Sequence, residues 1–339
     1  MGFFGRKRAP SVPHPRKEPR FDGPLTLERL EQIFQDCVDF TKRPVSLGEG
    51  GACTLTLCYL SGMVKMERVS DYVLRPLAQD EALARCGTPR QAMDRMKDGA
   101  LYNLSAEERT RLDAAVFDLV NGCCLLLFPW ESSVLSLNVG TEEKRSISSP
   151  SNETVLKGSR DAFVESLRTN TSIVRRHLKA PELRIREQVV GRQSVTSVDI
   201  LYIEGLTNPH LVEQVAAQLA DIDIDAVLTT GNIEEYIVPA ARTAFPLVQY
   251  TERSDRFCAG LAEGRVGILI DGLPLGYLAP GVLGDFLQAP QDKSESWLLA
   301  SALTLLRYLC MLGTLLLPAL YVAMVTFHQE MIPTRLALS

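Results

Sequence analysis

Hydrophobic and polar positions divide the chain most sharply near its C-terminal end, where Tyr308 to Phe327 (YLCMLGTLLLPALYVAMVTF) carries no formal charge. As a helix rising about 1.5 Å per residue, this run reaches about 30 Å, the thickness of a bilayer's hydrocarbon layer, and it predicts a membrane span. Pro318 removes one backbone donor inside it, which frees the Thr314 carbonyl and predicts a kink. Together with Gly313 and Thr314, the proline suits a helix that packs against other helices.

Upstream, the pattern changes to short amphipathic segments. From Thr26 to Phe40, Leu30, Ile33, Phe34 and Cys37 recur at helical spacing, with Thr26 as a simple N-cap. Lys42 to Gly51, containing Pro44 and three glycines, predicts a loop. Its GEGG at 48–51 lacks the Lys and Ser/Thr of a phosphate loop and the strand-to-helix setting of a dinucleotide fingerprint. Cys53 to Leu60 predicts a strand, and Met66 to Leu74 a helix ended by Pro76. Ser105 with Glu108 reads as a capping box opening a helix to about Val120, closed by Asn121-Gly122. Cys123 to Phe128 suits a buried strand, with Ser133 to Val139 as its alternating partner.

Thr141 to Asn152 (TEEKRSISSPSN) is polar and turn-rich and marks a domain boundary. Beyond it, Arg160 to Leu178 predicts a helix with Phe163, Leu167, Val174 and Leu178 on one face. Its basic last turn, Arg175, Arg176, His177 and Lys179, suits the negative end of the helix dipole, and the two arginines are expected to project toward an acidic partner. Leu183 to Val190 and Val195 to Ile203 predict a hairpin. Asn208-Pro209 opens a helix whose buried stripe is Leu211, Val212, Val215 and Leu219. In DIDID at 221–225, the alternation points isoleucines inward and aspartates to water, without the glycine and terminal glutamate of a calcium loop. Phe245 to Gly272 predicts an extended segment, a short helix over Asp255 to Glu263, a Gly264 cap and a strand from Val266 to Ile270.

CYLSGM at 58–63 resembles LYIEGL at 201–206, and VNGCCLLLF at 120–128 resembles AEGRVGILI at 262–270, with offsets that agree within one residue. The spacing predicts two tandem, duplicated α/β modules, about 28–140 and 183–285. The expected organisation is a disordered basic tail (1–25), a first α/β subdomain (26–140), a linker (141–152), a second α/β subdomain (153–295), a transmembrane helix region (298–327) and a flank of the membrane domain (328–339).

Composition narrows the function. A net charge of -5 and the lack of aromatic and basic alternation argue against a nucleic-acid partner. The eight cysteines form no C-x-x-C pair and the four histidines are scattered, so neither a metal nor another cofactor is expected. Reduced thiols, and an N-terminus without the apolar run of a signal peptide, place the region ahead of the span in the cytosol. No G-x-S-x-G, H-E-x-x-H or phosphate loop supports an enzyme. The most concentrated charged motif of the second module is Glu252, Arg253, Asp255 and Arg256. It suits either helix initiation with a salt-bridged surface or a docking surface between subdomains or subunits. These four residues, with Arg175 and Arg176, are the candidate interaction residues.

The ordered runs ESLRTNTSIVRR (165–176), YIEGLTNPHLVEQV (202–215), QYTERSDR (249–256), EGRVGILIDG (263–272) and LLPALYVAMVTFHQEMIPT (316–334) resemble the GerA family, the A subunits of spore germinant receptors. The likeness covers about Val155 onward; the first module matches by layout more than by sequence. Ser254 stands where the family's TER-P-D motif has proline, and Gly158-Ser159 replaces a Gly-Pro. The resemblance implies two cytosolic α/β subdomains followed by a membrane domain of several helices. It also implies a transporter-like B subunit and a C lipoprotein as partners, and a homo-oligomeric ion channel in the spore inner membrane. A non-conducting accessory protein, like stage V sporulation protein AF, is the alternative. With one span before Ser339, the sequence is expected to be either a piece of a full A subunit or a short homologue that anchors or regulates a longer one.

Overall fold

The computed structural model describes residues 20–47, 54–84, 86, 88–100, 106–129, 131–140, 161–225, 247–287 and 297–327. The basic tail to residue 19 and the 141–152 boundary lie outside them. Two five-stranded antiparallel sheets, each covered by helices on both faces, form the region ahead of the apolar helix.

The first module runs α1 (Leu27–Ile33), β1 (Phe40–Ser46), β2 (Thr54–Leu60), then α2, built of Met66–Val69, Ser70–Leu74 and Arg75–Gln79 in succession. It continues through α3 (Glu81–Ala84), α4 (Pro89–Arg95), β3 (Ala106–Arg109), α5 (Leu112–Val120), β4 (Cys123–Leu127) and β5 (Val134–Asn138). The second runs α6 (Leu167–His177), β6 (Leu183–Val190), β7 (Thr196–Ile203), α7 (Pro209–Ala220), β8 (Gln249–Thr251), α8 (Ser254–Ala262), β9 (Val266–Ile270) and β10 (Gly276–Ala279). A short α9 (Leu283–Leu287) and the long α10 (Trp297–Phe327) follow.

Strand order is β1-β2-β4-β5-β3 in one sheet and β6-β7-β9-β10-β8 in the other, the same path traced twice. The alternation of each strand sorts side chains into two cores per sheet. Leu30, Ile33 and Leu119 from α1 and α5 meet Cys58, Leu60 and Leu125 on one face, while Val69, Val73 and Leu77 from α2 meet Leu55, Leu57 and Leu126 on the other. The second module repeats the scheme, with Leu167, Val174, Phe257 and Leu261 over Leu183, Ile185 and Leu269, and Val212, Val215 and Leu219 over Val198, Ile200 and Ile268. Central strands covered on both faces explain the continuous apolar runs CCLLL and VGILI.

The duplication extends to backbone detail. Gly62 and Gly205 have φ of 81° and 79°, and Gly122 and Gly264 have 89° and 87°, at the positions that the sequence repeat aligns. A Cβ on Gly122 would sit 2.8 Å from the Met63 carbonyl oxygen, and one on Gly264 would sit 3.1 Å from that of Leu206. Both turns therefore need the left-handed backbone and the missing side chain for the same reason.

Several expectations are corrected. The loop expected over Lys42 to Gly51 begins as strand β1, and Pro44 is accommodated because β1 lies at the sheet edge. Pro76 does not end its helix: the turn before it widens, so that the Arg75 amide bonds the Ser70 carbonyl five residues back, and the chain continues to Gln79. Residues 106–109 pair with β5 instead of opening a helix; α5 starts at Leu112, and Ser105 lies outside the described residues. Glu108 is drawn to that strand by Arg90 (2.6 Å) and Lys97 rather than to a cap. The first helix is shorter than expected, although the Thr26 hydroxyl does accept the Arg29 amide. α6 starts at Leu167 with Ser166 as its cap, so Phe163 reaches the core from the segment before the helix. Asn208 caps α7 as expected, and in DIDID Ile222 is buried while Asp223 pairs with Arg192 at 2.7 Å.

α10 spans 31 residues, none of them buried, with Pro318 inside. At about 1.5 Å per residue it is about 46 Å long, which exceeds a hydrocarbon layer of about 30 Å. It is the one helix among the described residues long and apolar enough to cross a membrane.

Candidate functional site

The charged motif after β8 folds inward. Arg253 is 5% exposed and forms a fork with Asp255, Nε to Oδ1 at 3.0 Å and Nη2 to Oδ2 at 2.5 Å. The Glu252 carbonyl accepts the Phe163 amide at 2.8 Å, and Ser254 places its amide and hydroxyl on the Asp161 carbonyl at 3.3 and 3.0 Å. A proline at position 254 would lose the first of these bonds. The motif thus starts α8 and stitches it to the segment that leads into α6; Ser254 also lies 3.2 Å from His177 Nε2 at the end of that helix. Arg256 turns the other way and donates to the Asp285 carbonyl at 3.4 Å.

Arg175 and Arg176 do not form one patch with this motif. Arg175, expected to be exposed, is 0% exposed, because the face of α6 that carries it packs against the first module. Its Nε and Nη2 donate to Asp39 Oδ2 and Oδ1 at 2.9 and 3.0 Å, and Nη1 donates to the Ala180 carbonyl at 3.3 Å. Arg176 stays half-buried and donates to the Ser172 carbonyl of its own helix.

Arg175 belongs to a junction between the two sheets. Residues 36–38 pair with the free edge of β6: the Val38 amide donates to the Ile185 carbonyl at 3.0 Å and the Ile185 amide to the Asp36 carbonyl at 3.1 Å. Arg184 reaches from β6 to the Ile33 carbonyl and to Glu204. At the back of the same helix, Asp199 is fully buried, and its Oδ1 has no partner. Thr171 Oγ1 lies 2.9 Å from both the Leu167 carbonyl and Asp199 Oδ2. A hydroxyl has one proton. Donated to the Leu167 carbonyl, it leaves a lone pair that a protonated Asp199 can satisfy. Burial pushes this carboxyl up to about 6, against the opposing pull of Thr171 and Arg168.

The second module also holds an open cleft of about 630 Å³, lined by Asn208, His210, Gln214, Arg265, Pro280 and Val282 among others. At the equivalent place in the first module, Val64 bridges Gly140 and the Lys65 amide reaches the Val139 carbonyl. In the second, the Gly281 amide bonds the Leu247 carbonyl instead.

The buried thiols behave as core groups. Burial raises Cys58, Cys124 and Cys258 to about 12, far from nucleophilic range. Asp39, Asp199, Arg265 and Asp285 escaped the sequence reading. An aspartate inside the apolar run Val198-Asp199-Ile200 was a visible signal; the other three gain meaning only from partners distant in the chain.

Comparison with known proteins matches this architecture. The model of the family described as Bacillus/Clostridium GerA spore germination protein covers residues 28–339. The uncharacterised membrane protein YfkQ of Bacillus subtilis is 34% identical over 313 residues, 92% of this chain and 60% of the relative. Spore germination protein KA of the same organism is 34% identical over 298 residues, 88% of this chain and 54% of the relative. The chain therefore spans between about half and three-fifths of the length of these relatives. The crystal structure of the N-terminal domain of the A subunit of the Bacillus megaterium spore germinant receptor GerK3 superimposes with a TM-score of 0.60 at 27% identity, covering 76% of this chain and 94% of that domain.

Proposed function

The chain belongs to the GerA family of spore germination proteins, and on that premise we propose that it acts as, or within, the A subunit of a nutrient germinant receptor in the spore inner membrane. The observation that carries the proposal is the pairing of a two-sheet region like a germinant receptor A-subunit domain with an exposed apolar helix of spanning length. In this reading the two sheets form a cytosolic scaffold without catalytic duty. B and C subunits are its partners, and several copies contribute helices such as α10 to a channel. Pro318 and the polar Thr314 give that helix features suited to packing against neighbours.

The test is a deletion of the gene in a spore-forming host, with germination scored against a panel of nutrients, and co-purification of the tagged chain with B-type subunits. The expected result is lost response to one nutrient class and recovery of a B subunit. Normal germination on every nutrient together with no co-purifying subunit would refute it. Normal nutrient specificity with uniformly slowed germination would instead assign the accessory role.

A further inference from the structure

The contact between the soluble module and α10 runs through α9. Five residues are too few to hold a helix in water without outside support, so α9 depends on what grips it. At its start, Asp285 Oδ2 and Oδ1 accept Arg265 Nη1 and Nη2 at 2.5 and 3.1 Å, a two-bond fork, and Oδ2 also accepts the Val282 amide at 3.1 Å. The two side chains are only 13% and 16% exposed. Arg265 is itself fixed to the second module through Gln249 Oε1 at 3.1 Å and Glu263 Oε2 at 2.8 Å, while Arg256 holds the Asp285 carbonyl from α8. Burial opposes ionisation of Asp285, yet the Arg265 fork and the Val282 amide hold its carboxyl below the usual range.

At the other end of α9, the Leu287 carbonyl accepts Arg307 Nη1 at 3.1 Å. Arg307 is the charged residue within the otherwise uncharged α10. The Tyr308 hydroxyl packs over Gly284, 3.4 Å from where a Cβ would stand. A charge at the centre of a bilayer is costly, so Arg307 belongs at the interface, and its bond to Leu287 keeps it there.

We propose that α9 is a mechanical coupler: Asp285 locks it to the second module and Arg307 locks it to the apolar helix, so that a movement of either is passed to the other. A fork between poorly hydrated charges transmits force because breaking it leaves a desolvated charge without its counterion. The inference rests on α10 being membrane-embedded and not on the receptor assignment, so the two fail separately.

The experiment measures the distance distribution between nitroxides attached through ketone-bearing residues at Tyr250 and Leu305, both exposed, in the full chain in lipid nanodiscs. The labels leave the native cysteines untouched. The parent should give one narrow peak. Asp285→Ala should lose it, and so should Arg307→Met, which acts at the far end of α9 without touching the sheets. Asp223→Asn, which removes an exposed charge paired with Arg192 and away from α9, should keep it. If Asp285→Ala fails to fold, Arg307→Met alone decides. A narrow peak that survives Arg307→Met, or a parent with no narrow peak, would overturn the proposal.

Discussion

Replacing Asp199 by asparagine should stabilise the protein at neutral pH and do nothing for it in acid. The carboxyl is fully buried, has one oxygen without a partner, and shares the single Thr171 hydroxyl proton with the Leu167 carbonyl. Its pKa stands near 6 in the fold against a reference of 3.8. The sign follows from which state binds the proton. Below about 4 the carboxyl is protonated in both folded and unfolded chains and contributes no difference. Between about 4 and 6 the unfolded chain ionises while the folded one holds its proton, so folded stability falls as pH rises. A rise from 3.8 to about 6, at about 1.36 kcal/mol per unit, is worth about 3 kcal/mol above pH 6. Asparagine removes that cost, keeps the shape, and its amide can donate to Thr171. Urea denaturation of the soluble region at pH 4 and pH 7, parent against Asp199→Asn, measures it. The expected result is equal stability at pH 4 and a gain at pH 7. An equal gain at both values, or a loss at pH 7, would refute the argument that the buried carboxyl is neutral near pH 6.

Arg175→Met should destabilise by about 3–5 kcal/mol because it strands Asp39 without a counterion, whereas Arg176→Ala should change stability by about 0–1 kcal/mol; matching denaturation midpoints for the two variants would contradict the buried pairing. Gly122→Ala and Gly264→Ala should each cost about 1–3 kcal/mol through their left-handed backbones. Gly122 should suffer more, since its added carbon meets a carbonyl at 2.8 Å rather than 3.1 Å; thermal melts in which only one of the two variants is destabilised would break the equivalence of the modules.

What the sequence determined by itself was local or repeated. Charge-free length fixed the apolar helix, and alternation and end signals fixed the hairpin of β6 and β7 and the Asn208 cap, because these depend on neighbours within a few residues. The aligned glycines betrayed the duplication, since a left-handed turn against a carbonyl admits nothing larger in either copy. Tertiary structure alone decided whether a charge serves surface or core. Arg175 and Arg176 are adjacent on a basic turn, and the sequence treats them alike. One is sealed against Asp39 across 136 residues of chain, and the other stays on its own helix. β1 and β3 were equally hidden from local reading. Pro44 and the Ser105–Glu108 spacing carry loop and helix signals, and only pairing at the sheet edges overrode them. The coupler was illegible for the same reason: Arg265, Asp285 and Arg307 are unremarkable charges until the fold brings them to the two ends of one short helix, where exclusion of water gives each pairing its strength.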